Sequence, residues 1–240
     1  IGVPGDRSET VRYFTRAFSI DKPLADACLY ACGIGYSRYS VNGREVLSSA
    51  PLDPAFTEWK KTCQYALFPE LASQLKVGEN RLDAVLAAGW RHNPKVLPNA
   101  KPDEIPYDFC GPKMLTAMLK LVYADGEVQW IYSDESWRVG EGPLVSASLF
   151  DGVLYDAARE IEYRENAKFV EGPGGVLRPM LIPPVKTFKA RAPIAVWPKG
   201  NGVVMDFGQN LAGILRIWFP QRLAPGQTIT FTHSEELDED

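Results

Sequence analysis

The residues with the widest chemical scope sit just after position 89. Trp90-Arg91-His92-Asn93 opens a loop that reaches Pro112 and carries Pro94, Pro98, Pro102 and Pro106, together with Asp103, Glu104, Tyr107 and Asp108. A flat indole beside amide, imidazole and carboxylate groups can hold a sugar ring, and long loops on a rigid frame are where binding residues gather. Trp90, His92, Asn93 and Asp108 are therefore the candidate ligand-binding residues. A plainer alternative stands beside this reading: Trp90 plugs the end of a core and the loop packs on a neighbouring domain.

Catalytic chemistry finds less support. His92 and His233 are the two histidines, and neither has a nucleophile or orienting partner at a useful spacing. Cys28, Cys32, Cys63 and Cys110 form no C-x-x-C pair, so no zinc site is expected. Cys28 and Cys32 fall in one strand-like run, where four residues at ~3.3 Å each separate them by about 13 Å, too far for a disulfide. The terminal carboxylates Glu235, Glu236, Asp238, Glu239 and Asp240 crowd together as a solvated run rather than an acid/base pair. In Asp206-Phe207-Gly208-Gln209-Asn210, Asp206 and Asn210 suit turn backbone, Gly208 an unusual φ and Phe207 a core. Trp59, Trp130, Trp137, Trp197 and Trp218 read as core or sheet-face aromatics, one or two of which can form a platform for sugars.

These groups must be carried by strands. Asn42-Gly43 lies between β-prone arms and predicts a hairpin with two positive φ values. Asp125-Gly126 predicts a second, between an arm alternating Leu115, Ala117, Leu119, Leu121, Tyr123 and one alternating Val128, Trp130, Tyr132. Further strands are expected at 11–20, 25–32, 62–68 and 81–87, and a short helix after Pro69 ending at Gly78. The polar, Gly/Pro-rich stretch 166–175 predicts a linker. Strand-like runs at 185–190, 202–207, 213–219 and 227–233 follow. The expected architecture is all-β: a jelly-roll-like sandwich over 1–165, then the truncated start of a second sandwich over 176–240, with one or two short helices. A half-covered second sheet carrying Val203, Phe207, Ile214, Trp218 and Phe231 predicts association as a homodimer.

The net charge of −4 over 240 residues, with no basic run, argues against nucleic acid or anionic membrane as partners. No apolar span approaches the ~20 residues of a membrane helix. The chain opens on Ile1 without a signal-like segment and reads as cut from something larger, so no compartment is assigned.

Leu29-Tyr-Ala-Cys-Gly-Ile-Gly-Tyr-Ser-Arg-Tyr-Ser-Val-Asn-Gly-Arg-Glu-Val46 resembles the opening hairpin of the N-terminal domain of bacterial α-L-rhamnosidases, glycoside hydrolase family 78. Residues 51–59, Gln64-Tyr65, Leu75-Lys-Val-Gly-Glu-Asn-Arg-Leu82, Gly89-Trp90, Ser133-Asp-Glu-Ser-Trp137, Gly142-Pro143 and Phe150-Asp-Gly-Val-Leu-Tyr-Asp-Ala157 continue the pattern in order. Asp206-Phe-Gly-Gln-Asn-Leu-Ala-Gly213, Pro225-Gly226 and His233-Ser-Glu-Glu-Leu237 resemble the start of the sandwich that follows. The likeness spans nearly the whole chain from about residue 11. It departs where Arg91-His92-Asn93-Pro94 replaces the family's usual Tyr and Gly/Arg-rich loop, and where Ala158 stands at an Arg position, with Arg159 one place later.

The resemblance implies an accessory, scaffolding region whose partner is a C-terminal (α/α)6 catalytic barrel, and an isolated chain that is inactive. That barrel inverts configuration with an acid and a base roughly 6.5–9.5 Å apart. The ligand implied is a rhamnose-containing glycan. Some family N-terminal domains bind rhamnose with calcium in the region of this loop. Asp103, Glu104 and Asp108 are oxygen donors there, but no spacing fixes them as ligands, and no cofactor is assigned. The rival classes are a stand-alone carbohydrate-binding module and a protein-interaction sandwich.

Overall fold

The computed structural model describes residues 1–6, 8–46, 55–91, 111–148, 151–183, 185–186, 188–219, 224 and 228–236. Two compact units divide the chain, Ile1–Thr187 and Phe188–Asp240. In the first, two sheets face each other. One has six strands in the order β12 (Glu162–Asn166), β9 (Arg138–Glu141), β1 (Arg12–Ile20), β6 (Gly78–Ala87), β3 (Tyr36–Val41) and β4 (Arg44–Glu45). The other has five, β13 (Val176–Pro179), β5 (Thr62–Phe68), β2 (Leu24–Ile34), β7 (Met114–Tyr123) and β8 (Val128–Tyr132). A hairpin of β10 (Leu144–Ser148) and β11 (Gly152–Tyr155) lies beside them. Neighbours pair antiparallel except β13 and β5, which run parallel.

Period-two patterning explains the core. Phe14, Phe18 and Ile20 of β1, Leu82, Ala84 and Leu86 of β6, and Leu115, Ala117, Leu119 and Leu121 of β7 all turn inward and are buried. Trp137 joins them fully buried, its Nε1 donating to the Tyr132 carbonyl at 3.0 Å. Asp134 makes the bend before it by accepting from the Ser136 amide at 2.9 Å.

Several local expectations are corrected. Asn42 and Gly43 both have positive φ, as the hairpin between β3 and β4 requires. At the second hairpin Gly126 alone of the Asp-Gly pair lies there, with φ 87°. The Gly126 amide donates to the Tyr123 carbonyl at 2.9 Å, so this is a turn closed by a glycine bulge rather than a two-residue turn. The helix expected after Pro69 is one 3-10 turn, Leu71–Gln74, whose Leu71 is buried in the core. Gly78 does not close a helix but opens β6 at φ 96°.

The expected linker 166–175 is built into the first unit. Ala167 is fully buried, Lys168 bridges Gly2, and the Val176 amide donates to the Lys61 carbonyl at 3.0 Å. The pairing of β13 with β5 then carries the compact unit on to Thr187, past the boundary expected at 175–176. In the second unit β14 (Ala195–Lys199) pairs with β15 (Gly202–Asp206). The described residues of the runs expected at 185–190, 213–219 and 227–233 form no strand. Asp206 plays the mechanical part expected of it: its Oδ1 accepts from the Gly208 amide at 2.7 Å, and Gly208 has φ 78°.

The outer faces of the two sheets differ in chemistry. On the six-stranded sheet Asp83 accepts from Thr15 at 2.6 Å, from Arg81 at 2.9 Å and from Ser40 at 3.5 Å. On the five-stranded sheet the cross-strand row Leu67, Tyr30, Met118, Tyr132 adjoins the row Cys28, Lys120, Trp130 and then the row Asp26, Val122, Val128. Leu67 and Tyr132 are each 53% exposed.

Candidate functional site

One end of that second face is covered. Cys32, Ile34, Trp59, Cys63 and Met114 form a small buried cluster, with Tyr65, Trp90 and Val170 packed on it half-buried. Phe56 sets its ring edge-on to Trp59 at 5.2 Å and to Trp90 at 6.1 Å. Trp90 reaches this position because Gly89 lies flat on Gly35, so close that a Cβ would sit 2.8 Å from the Gly35 carbonyl carbon.

Arg91 crosses the base of the long loop. It is buried, and its Nη1 donates to the Pro112 carbonyl at 3.0 Å. A Cβ on Gly111 would fall 2.0 Å from the guanidinium carbon, so glycine is what lets the returning chain lie against that group. Of the predicted site residues, Trp90 is placed at the loop's entry; His92, Asn93 and Asp108 lie outside the described residues, as do Asp103 and Glu104. The role of Arg91 was not foreseen, because a single basic residue in a loop carries no periodic signal.

The thiols beneath Trp90 are quiet. Burial pushes Cys32 up to about 12, with Cys63 close by adding to the shift, and burial raises Cys63 as well. Among the described residues no group of three or more His, Cys, Asp or Glu side chains could hold a metal.

A second polar constellation is buried next to the loop's exit, where Lys113 follows Pro112. Arg12 Nε donates to Asp6 at 2.8 Å and its Nη1 to Glu141 at 2.7 Å, while Lys113, fully buried, lies 3.4 Å from Asp6 and donates to the Ser8 carbonyl. Burial alone would raise the Asp6 carboxyl. Hydrogen bonds from Arg12 and Ser8 and the charge of Lys113 outweigh it and hold Asp6 well below the usual carboxylate range. This cluster ties the residues before β1 to β7 and β9, and every charge in it is engaged, which is structural rather than catalytic chemistry.

Residues 22–187 match the family of the alpha-L-rhamnosidase N-terminal domain. The chain belongs to this family. Residues 198–240 match the bacterial alpha-L-rhamnosidase concanavalin-like domain. An alpha-L-rhamnosidase of Formosa agariphila is 28% identical over 243 residues, which cover 94% of this chain and 24% of that one. The solved alpha-L-rhamnosidase of Dictyoglumus thermophilum superposes with a TM-score of 0.71 at 32% identity, over 84% of this chain and 22% of that one. The Streptomyces avermitilis alpha-L-rhamnosidase, solved with L-rhamnose, gives the same TM-score at 27% identity, over 84% and 20%. The chain thus spans about a quarter of the length of the curated relatives it matches.

Proposed function

We propose that this chain is the non-catalytic accessory region of an α-L-rhamnosidase, bracing a C-terminal (α/α)6 barrel that removes terminal α-L-rhamnosyl residues. The observation that carries the reading is the order of its two matches, an N-terminal sandwich followed by a concanavalin-like domain, within a quarter of the relatives' length. The loop entered at Trp90 supplies modest affinity for a rhamnose-containing glycan, with His92, Asn93 and Asp108 as further contacts. The closed base formed by Arg91 and Gly111 supports this, since it holds both ends of the loop in place. The test has two arms. The purified chain should show no turnover of an aryl α-L-rhamnoside; turnover that survives repurification sinks the accessory reading. L-Rhamnose titrated by calorimetry, with and without calcium, should bind weakly and lose heat in Trp90→Ala. A stand-alone carbohydrate-binding module is the second reading, favoured if sugar affinity is strong and independent of any barrel.

A further inference from the structure

Four aromatic rings run across the outer face of the five-stranded sheet. From Tyr65 to Tyr30 the centroids are 6.0 Å apart, from Tyr30 to Trp130 6.4 Å, and from Trp130 to Tyr132 6.3 Å. Trp130 and Tyr132 stand two residues apart on the edge strand β8, nearly parallel at 19°, and are 36% and 53% exposed. From β7, Lys120 holds its Nζ 5.7 Å from the centre of the Trp130 ring. In the same unit Trp59 and Trp137 are buried and offer no such face.

We infer that this strip is a second sugar-contacting surface, one that takes an extended glycan several pyranose rings long. The inference rests on the reading of the chain as part of a glycan-cleaving enzyme, but on residues separate from the loop entry. A pyranose presents C–H bonds on its ring faces and hydroxyls around its rim. The C–H faces suit the electron-rich faces of Trp130 and the tyrosines, and the hydroxyls suit phenol and ammonium groups beside them. Each stack is weak, and a row of them gains by linkage along one ligand.

The alternative is a dry protein interface, and Lys120 argues against it. Among the described residues its ammonium is paired with no carboxylate, so a protein laid over the strip would bury that charge uncompensated unless it brought its own. Interface cores are depleted in lysine for this reason. A hydrated glycan leaves the ammonium among hydroxyls.

The 240-residue chain is run on native gels cast with a soluble rhamnose-containing polysaccharide, rhamnogalacturonan, and without it. Wild type should be retarded by the polysaccharide. Trp130→Ala combined with Tyr132→Ala should weaken retardation roughly tenfold. Tyr132→Ser, a milder change at an exposed site, should weaken it several-fold with the melting temperature unchanged. Arg38→Ala on the opposite face should leave it as in wild type. An unretarded, folded wild type overturns the inference. So does retardation lost in Trp90→Ala but untouched by the double variant, a result that leaves the loop reading standing. So, finally, does wild-type self-association in light scattering that the double variant abolishes without changing retardation, which would make the strip a protein interface.

Discussion

The two outer faces of the sandwich differ at their open ends. Each sheet turns one set of alternating residues inward and must do something with the other. The six-stranded sheet covers one end of that set, where Tyr13, Val85 and Ala87 pack with Leu144, Ala147 and Tyr163, and makes the other end polar, with Asp83 gathering Thr15, Ser40 and Arg81. The five-stranded sheet keeps its outward set mostly apolar and aromatic, with Lys120 and Asp26 among it, covers one end with Trp59, Phe56, Trp90 and Val170, and leaves the other end open. Its closed end is core, and its open end has the composition of a contact surface.

The contrast is broken most directly at the closed end. Trp59→Ala removes a 5% exposed ring that seals Cys32 and Cys63, and it should cost about 3–5 kcal/mol. Urea unfolding measures this; a loss under 1 kcal/mol would mean that the covering segment is dispensable.

Acid provides the next test, because it attacks the sandwich without touching the aromatic strip. Asp6 has a depressed folded-state pKa, so its contribution is present above the unfolded value of about 3.9 and fades as the pH falls below that. Removing its charge from the buried cluster with Arg12 and Lys113 should cost about 3 kcal/mol, so Asp6→Asn is less stable than wild type at pH 7. The gap should narrow progressively as the pH falls below about 4, and thermal melts at pH 7 and at successively lower pH show whether it does. A gap that is constant in pH contradicts the assignment.

The smallest effects sharpen the comparison of the faces themselves. Asp83→Ala leaves three donors without their acceptor and should cost about 1 kcal/mol. Val128→Thr, on the open end of the other face, should lie within about 0.5 kcal/mol of wild type. Equal losses would show that the open face is as structurally committed as the polar one.

Much of this was legible in the sequence, for stated reasons. Period-two alternation placed β7 and β8, strand-like runs placed β1, β2, β5 and β6, and Asn42-Gly43 fixed a hairpin through the φ values only such residues accept readily. Alternation says which residues share a face but not which face is covered. Trp130 and Tyr132 therefore looked the same as buried Trp137 until the sheets were in place. The stretch 166–175 had the composition of a linker, yet its Gly175 is there because the chain passes against the Trp59 carbonyl, where a Cβ would lie 2.2 Å away. Composition does not distinguish a glycine of close approach from a glycine of freedom. At the base of the loop the part of Arg91 was not legible, since it depends on a glycine twenty positions away.

The parallel pairing of β13 with β5 sets an order of assembly. β5 ends at Phe68, and its partner on that side does not begin until Val176. A ribosome making this chain has to deliver more than a hundred further residues before the edge of the five-stranded sheet can be closed. Throughout that interval β5 offers a free row of backbone donors and acceptors, open to any extended segment nearby. The first sandwich is therefore a late-finishing unit: it becomes safe from wrong pairings when its last strand is in hand, close to the point where the second unit begins.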